Sequence, residues 1–184
     1  MLYIISGASR SGKTMIAKKI SEKKGISYFS LDWLIMGFTN GIKEYGIHDK
    51  LFPDEIAQRS WNFLKAMFES MIWGEENYII EGEAILPELI IELVKKNPGK
   101  IKICFVGYTH VNVDEKVKEI KYFSNKKKDW LSDTSDEYIV DHVKNMVAHS
   151  IKIKKSCKKY GIIYFDTSTD FIEKIERAAR YLLK

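Results

Sequence analysis

The 184-residue sequence has two cysteines, few arginines and no long hydrophobic run, and each shortage argues against a class of protein. Cys104 and Cys157 stand in neither a Cys-x-x-Cys nor a metal-ligand spacing, which argues against a thiol redox motif or a cysteine-bound metal. Cys104 lies within an apolar run and is expected in the core. No apolar run approaches the roughly 18 residues of a membrane span. Residues 2–5 are too short an apolar run for a secretory signal, so we expect a cytoplasmic protein without membrane contact.

Arginine is scarce although basic residues are plentiful. Of the 30 basic residues only Arg10, Arg59, Arg177 and Arg180 are arginine, so lysines supply the net charge of +5. Lysines spread through helical segments are typical of a solvated surface, whereas a nucleic-acid interface clusters its cations. The charge therefore does not favour a nucleic-acid partner, and an anionic substrate explains it equally well.

Short apolar runs alternate with helical periodicity along the chain, which predicts a parallel sheet covered by helices. Strands are expected over residues 2–6, 27–31, 77–81, 100–106 and 162–165. Helices are expected over residues 13–24, 53–73, 112–123 and 134–160, from about residue 87, and after the last strand. Thr134 and Glu137 have capping-box spacing, and the glycine-dotted segment 37–52 is expected to be irregular. We predict one α/β domain over residues 1–184, a P-loop three-layer sandwich with a five-stranded parallel sheet flanked by helices.

Residues 7–14 match the phosphate-binding pattern G-x-x-x-x-G-K-[ST] in full. A chance match is the alternative, but the apolar strand before the motif and the helix after it are the context that a phosphate loop requires. Glycines at both ends let successive backbone N–H groups point at phosphate oxygens, and the helix directs its positive end there. Lys13 would neutralise the β- and γ-phosphates, and the Thr14 hydroxyl would bind Mg²⁺. The expected nucleotide-binding residues are Gly7, Ala8, Ser9, Arg10, Ser11, Gly12, Lys13 and Thr14.

Two acidic residues follow predicted strands, and both are expected beside the phosphate loop. Asp32 comes after the second strand and Glu81 ends the third, and ligands of open parallel sheets bind outside the carboxyl ends of the strands. Glu81 could support the Mg²⁺ shell, whereas Asp32 could accept a proton from a substrate hydroxyl or hold the metal through water. The alternatives are a helix N-cap for Asp32 and a surface turn for Glu81. The adjoining Glu83 is a weaker candidate.

A polar, lysine-rich connection at about residues 122–135 separates two predicted helices and could form a mobile lid. Lys126, Lys127 and Lys128 could close over the phosphates, exclude water and stabilise developing charge. A solvated run of lysines is the alternative.

Two further residues are candidates for ligand contacts. Arg59 lies on the helix of the predicted substrate-binding segment, about residues 33–73, where its guanidinium suits an anionic substrate. A surface salt bridge explains it equally well. Thr167 belongs to the turn before the final helix, which could lie against the adenine of the nucleotide. Capping of that helix by Thr169 or Asp170 is the alternative.

Three motifs together resemble the small P-loop kinases of the nucleoside-monophosphate-kinase type, the group that contains adenylate, shikimate and gluconate kinases. They are residues 7–14, the strand and aspartate of residues 28–32, and residues 79–82 with Leu86 and Pro87 after them. The third motif is similar to 2-phosphoglycerate kinase-like proteins. The layout of strand, loop and aspartate is similar to chloramphenicol phosphotransferase and zeta-toxin-type kinases. The resemblance covers essentially the whole chain and implies that Asp32 lies near the acceptor hydroxyl.

The sequence departs from this family in two places. The Asp-Gly-[Phe/Tyr]-Pro-Arg element of adenylate kinases is absent, and Glu81-Gly82-Glu83 stands in the corresponding region. The predicted lid has lysines where the family typically has arginines on the transferring phosphoryl group. Lysine supplies charge but not the planar fork of a guanidinium.

These observations predict an ATP- and Mg²⁺-dependent kinase that transfers the γ-phosphoryl group to a hydroxyl or phosphate of a small molecule. The alternative is a nucleotide-dependent binding or regulatory protein with little turnover. A GTPase is not favoured, because no guanine-reading Asn-Lys-x-Asp is present. The acceptor stays open, and so does the oligomeric state. The segment that should shape the acceptor pocket allows an aromatic or an anionic ligand, since it contains Trp33, Phe38, Tyr45, Phe52 and Arg59.

Overall fold

The computed structural model describes residues 1–124, residue 131 and residues 134–184. Within these ranges the chain forms one sheet of five parallel strands in the order β2-β3-β1-β4-β5. The strands are β1 (Leu2–Gly7), β2 (Tyr28–Ser30), β3 (Tyr78–Gly82), β4 (Ile101–Gly107) and β5 (Tyr164–Asp166). The predicted lid residues Lys126, Lys127 and Lys128 lie outside the described residues.

Seven α-helices and one 3-10 turn occupy the rest of the described chain. They are α1 (Lys13–Lys24), α2 (Leu31–Gly41), the turn Lys43–Tyr45, α3 (Pro53–Trp73), α4 (Pro87–Lys96), α5 (Val113–Ser124), α6 (Asp136–Tyr160) and α7 (Phe171–Leu183). None of the described helices is long and apolar enough to cross a membrane.

Successive side chains along a strand point to opposite faces of the sheet, so they pack into two separate cores, one on each face. Leu2 and Ile4 of β1 pack with residues of α2, α3, α4 and α6. Tyr3 and Ile5 pack on the opposite face with residues of α1 and α7. Cys104 is fully buried in this second cluster, as predicted for a core residue. Helices on both faces of a parallel sheet confirm the predicted α/β three-layer sandwich.

The parallel arrangement brings the ends of β1, β2 and β3 to the same edge of the sheet. Ser6 of β1 pairs with Gly82 of β3, and Glu81 of β3 pairs with Ser30 of β2. The segments that leave these strands therefore start side by side. This register determines which residues can form one site.

The irregular segment predicted over residues 37–52 is wrong at its start, because α2 continues to Gly41. Leu31, Ile35 and Phe38 recur at helical spacing and are all buried in the first core. This burial outweighs the roughly 1 kcal/mol that a glycine inside a helix costs relative to alanine. The second strand is correspondingly shorter than predicted, since Leu31 already belongs to the helix.

The capping box predicted at Thr134 and Glu137 is also wrong. Ser135 is the N-cap of α6, and its Oγ accepts a hydrogen bond from the backbone N–H of Tyr138 at 3.3 Å. The Thr134 hydroxyl instead donates to the carbonyl of Leu131 at 2.8 Å. Serine and threonine have similar capping preferences, so the sequence does not separate neighbouring candidates.

Candidate active site

The phosphate loop connects β1 to α1 through a backbone that only glycine tolerates at two points. Gly7 has φ 132°, and a Cβ placed there would lie 1.7 Å from the carbonyl oxygen of Val106. Gly12 has φ 99°, and a Cβ there would lie 2.3 Å from Cδ1 of Ile175. A third residue, Arg10, also has a positive φ of 59°. The loop is therefore held closely between β4 and α7, in a shape that turns backbone groups inward.

Lys13 lies at the centre of this loop and is buried, with 6% of its surface exposed. Its Nζ donates to the carbonyl oxygen of Ala8 at 2.7 Å and lies 3.5 Å from Oε1 of Glu83. The Ser11 hydroxyl donates to the same carbonyl at 2.7 Å. A buried ammonium group needs such partners, because its charge is costly to remove from water. A phosphate group that entered the loop would be negatively charged, as Glu83 is, and would be a stronger partner for Lys13.

Thr14 and Glu81 form a pair of oxygen groups beside the loop. The Thr14 hydroxyl donates to Oε1 of Glu81 at 3.1 Å, and Glu81 is only 2% exposed. The surface-turn alternative for Glu81 is therefore wrong, because the residue is buried within β3. The pair fits Mg²⁺, which in nucleotide sites takes one or two protein oxygens and completes its shell with phosphate and water. Accordingly, no group of three or more His, Cys, Asp or Glu residues that could hold a metal alone occurs in the described chain.

Asp32 lies in the first turn of α2. The N-cap alternative for Asp32 is wrong, since Ser30 caps the helix and its Oγ accepts from the Asp32 N–H at 3.4 Å. The side chain is accessible to solvent, yet protein atoms surround it on the walls of the cleft. This partial loss of water raises the pKa of Asp32; Lys13 lowers the pKa, and Glu83 and Glu81 raise it. These four charged groups therefore act on one another within a single cleft.

Glu83 was predicted only as a weaker candidate than Glu81, but the structure places it beside Lys13. It follows Glu81 by two positions, and its side chain is 24% exposed and paired with Lys13. The available signal was a second carboxylate directly after the end of β3. The sequence did not reveal the ion pair between Lys13 and Glu83, because the two residues are 70 positions apart along the chain.

Arg59 contacts a neighbouring turn of the protein. Its guanidinium donates to the carbonyl of Gly46 at 2.6 Å and lies 3.5 Å from Oε1 of Glu55, one helical turn earlier in α3. The predicted alternative of a surface salt bridge is therefore present. A role for Arg59 in substrate binding stays a prediction.

Thr167 lies directly after β5, at the edge of the sheet where β4 also ends. Its backbone N–H and its hydroxyl both donate to the carbonyl of Gly107, at 2.8 and 3.2 Å. Asp170 is the N-cap residue of α7, but its side chain makes no capping hydrogen bond. A contact between Thr167 and adenine stays a prediction, and the structure shows how the segment around it is held.

Asp166 joins this segment to the end of β4, a role that its position in the sequence did not predict. One carboxylate oxygen accepts from the Thr109 hydroxyl at 2.6 Å and from Lys154 at 2.8 Å. The other accepts from the Ser168 hydroxyl at 2.5 Å. Burial by itself would raise the pKa of Asp166, but the hydrogen bonds from Lys154, Ser168 and Thr109 lower it on balance. The carboxylate stays charged and fixes the two loops relative to each other.

Comparison with known proteins places this site in a familiar fold. No protein-family model matches the chain, and no curated protein matches it. Among solved structures, a gluconokinase from Sinorhizobium meliloti is 15% identical with a TM-score of 0.55, covering 98% of this chain and 90% of the gluconokinase. A shikimate kinase from Bacteroides thetaiotaomicron is 17% identical with a TM-score of 0.56, covering 98% of this chain and 94% of that enzyme. The chain therefore has the fold of the small P-loop kinases of the nucleoside-monophosphate-kinase type, which its motifs resemble.

Proposed function

We propose that this protein is an ATP- and Mg²⁺-dependent phosphotransferase that moves the γ-phosphoryl group of ATP to a hydroxyl or phosphate of a small molecule. One observation carries the proposal. A phosphate loop, the hydrogen-bonded pair of Thr14 and buried Glu81, and the carboxylate of Asp32 meet around Lys13 at the carboxyl edge of a parallel sheet. A site that only bound nucleotide would not require a further carboxylate on the acceptor side of that lysine.

The phosphate side of the proposed reaction belongs to the loop. Lys13 and the backbone N–H groups of residues 7–14 stabilise the charge on the phosphates, and the first turn of α1 adds its positive end. Thr14 and Glu81 would hold Mg²⁺, which when bound neutralises part of the phosphate charge. Thr167 would lie near the base, on the segment that Asp166 fixes.

The acceptor side of the proposed reaction belongs to Asp32. The acceptor hydroxyl gives its proton to the Asp32 carboxylate while its oxygen forms the new bond to the γ-phosphorus. The bond from that phosphorus to the bridging oxygen breaks, and ADP leaves. Most of the acceleration in phosphoryl transfer comes from positioning and charge stabilisation, so the proton transfer is a smaller contribution.

The organisation of the chain follows from this assignment. Residues 1–184 would work as a single kinase domain, with a substrate-binding segment at about residues 33–73 and a lid at about residues 122–135. Cytoplasmic ATP would be its phosphoryl donor. The gluconokinase and shikimate kinase that share the fold are small-molecule kinases by name, which supports the same class of reaction here.

A metabolite panel tests the proposal directly. Hydroxyl compounds and nucleoside monophosphates are incubated with the protein, ATP and Mg²⁺, and ADP release is measured beside binding of a fluorescent ATP analogue. We expect at least one compound to stimulate ADP release above the rate without acceptor, and EDTA to abolish that stimulation. ATP binding without stimulation by any compound would contradict the proposal and favour a nucleotide-dependent binding protein.

A further inference from the structure

The acceptor end of the cleft is dominated by negative charge. Of the described residues whose charges shift the pKa of Asp32, only Lys13 is a cation, whereas Glu81 and Glu83 are anions. Lys13 is itself within 3.5 Å of Glu83. Among the described residues, three carboxylates and one ammonium group thus act on one another here.

Nucleotide binding would leave this imbalance on the acceptor side. Under the proposed function, Lys13 turns to the phosphates and Glu81 joins Thr14 at Mg²⁺. Asp32 and Glu83 then remain as carboxylates, and the phosphoryl group that is transferred is also anionic. A carboxylate or phosphate on the acceptor would meet like charges from both directions.

Two cations of the predicted substrate-binding segment are held by other groups of that segment. The guanidinium of Arg59 binds the Gly46 carbonyl and lies beside Glu55. Lys65, further along α3, pairs with Glu69 at 3.1 Å.

The wall next to Asp32 is apolar and open. Residues 33–42 contain no charged side chain, so Asp32 is the only charge on α2. Trp33 is 74% exposed, and Met36, one turn after Asp32 on the same side of the helix, is 38% exposed. No atom lies within 4 Å of a Cβ placed at Gly37, the next residue. We call Asp32, Trp33, Met36 and Gly37 the α2 face.

From these charges and this apolar wall, and resting on the proposed function, we propose that the phosphoryl acceptor is a neutral or cationic hydroxyl compound. It has no carboxylate or phosphate group, and its apolar part lies on the α2 face. Its hydroxyl meets Asp32, and a positive group on it would be attracted by Asp32 and Glu83. Of the two ligand types that the sequence allows, aromatic and anionic, the structure favours the first.

Matched acceptors test this proposal. Each hydroxyl compound of the panel is supplied as a carboxylate, as the corresponding primary amide and as the corresponding amine, with ATP and Mg²⁺, and phosphorylated product is identified by mass spectrometry. We expect kcat/KM for the amide or amine to exceed that for the carboxylate by at least about tenfold, because like-charge contacts in a cleft cost that much or more. A carboxylate or phosphate compound as the best acceptor would overturn the inference but leave the proposed function standing. No phosphorylated product from any compound would overturn both.

Two variants test separately how the charge and the apolar wall affect the choice of acceptor. Glu83→Gln should reduce the ratio of kcat/KM for the amide to kcat/KM for the carboxylate about tenfold, because only the carboxylate is repelled by Glu83. An effect of this variant on Lys13 would change both values and cancel in the ratio. Trp33→Ala should raise KM for the acceptor without changing KM for ATP. Trp73→Ala is the matched control, because Trp73 is 88% exposed at the far end of α3, and both KM values should stay unchanged. Equal effects of Trp33→Ala and Trp73→Ala would contradict the assignment of the α2 face. Unaltered discrimination in Glu83→Gln would contradict the proposed exclusion of anionic acceptors by charge.

Discussion

The proposed site has a nucleotide half and an acceptor half, and the two are built in different ways. The nucleotide half is made of backbone in a strained shape, with positive φ at Gly7, Arg10 and Gly12 and with β4 and α7 packed against it. The acceptor half is made of side chains on α2, and open space adjoins Gly37. A phosphate group has the same shape in every nucleotide, so one rigid loop suits it, whereas an acceptor is recognised by the individual side chains that it meets.

Lys13 and Asp32 mark the boundary between the two halves. Lys13 is buried among carbonyl and carboxylate oxygens, whereas Asp32 is accessible and its pKa is raised, chiefly by burial in the cleft. Their substitution should therefore affect the two halves differently. The following expectations are ordered from the largest effect to the smallest.

Lys13→Ala should lower kcat for ADP release by roughly 10³-fold, because it removes the cation that stabilises charge on the transferred group. Lys18→Ala is the matched control, since Lys18 lies on the same helix but is exposed. Circular dichroism should show the wild-type fold for both variants. Full ATP consumption by Lys13→Ala would remove the loop from the mechanism.

Asp32→Asn should lower kcat/KM by about 10²-fold, the lower range for a general base, while raising Tm. The pKa of Asp32 is raised in the folded protein, so the folded state binds its proton more tightly than the unfolded state. The ionised carboxylate consequently costs stability once the pH exceeds about 4, the ordinary pKa of Asp, and removal of the charge at neutral pH is stabilising.

The same residue should control the pH profile of the reaction. We expect the acid limb of kcat/KM in the wild type to lie above pH 4 and to be absent in Asp32→Asn. Wild-type turnover in Asp32→Asn would contradict the catalytic role of Asp32. A lower Tm in that variant would contradict the expectation that the charge of Asp32 costs stability and is kept for function.

Gly12→Ala should cost about 1–3 kcal/mol of unfolding free energy, because it combines a positive φ with a clash against Ile175. Gly25→Ala is the control for the backbone alone: Gly25 has φ 66° but no atom within 4 Å of its Cβ position. It should cost about 1 kcal/mol. Equal costs in urea denaturation would show that contact with α7 does not constrain the loop.

Asp54→Asn should have the smallest effect, about 1 kcal/mol after allowance for solvent screening. Asp54 lies in the first turn of α3, and Nδ1 of His149 on α6 donates to its Oδ1 at 2.7 Å. This hydrogen bond lowers the pKa of Asp54, with burial acting against it and Lys152 adding to it. Stability from this pair is therefore present above about pH 4 and is lost as the pH falls through the lowered pKa.

Urea denaturation from pH 3 to pH 7 measures this dependence. The difference between wild type and Asp54→Asn should disappear at the acid end. Lys152→Ala should change stability less, because Lys152 is 73% exposed and lies 3.5 Å from Asp54. A difference that does not vary with pH would mean that packing, not charge, joins α3 to α6.

Several elements were predictable because their signals are local. The helices over residues 13–24 and 53–73 begin and end as predicted, since glycine or proline marks a boundary of each and apolar residues recur at helical spacing. The strand cores were predictable because short apolar runs in a parallel sheet are buried on both faces. The boundaries of α2 and the cap of α6 were missed, because burial and one hydrogen bond decided them.

The sequence by itself determined the phosphate loop, the alternation of strands with helices, and the places of Asp32 shortly after β2 and of Glu81 near the end of β3. Those features depend on residues within a few positions of one another. Only the tertiary structure decided that Glu83 pairs with Lys13, that Arg59 braces Gly46, and that Asp166 joins the loops after β4 and β5. The physical reason is that hydrogen bonds and charges act over a few ångströms in space, and folding brings together residues that the chain separates by as many as 70 positions.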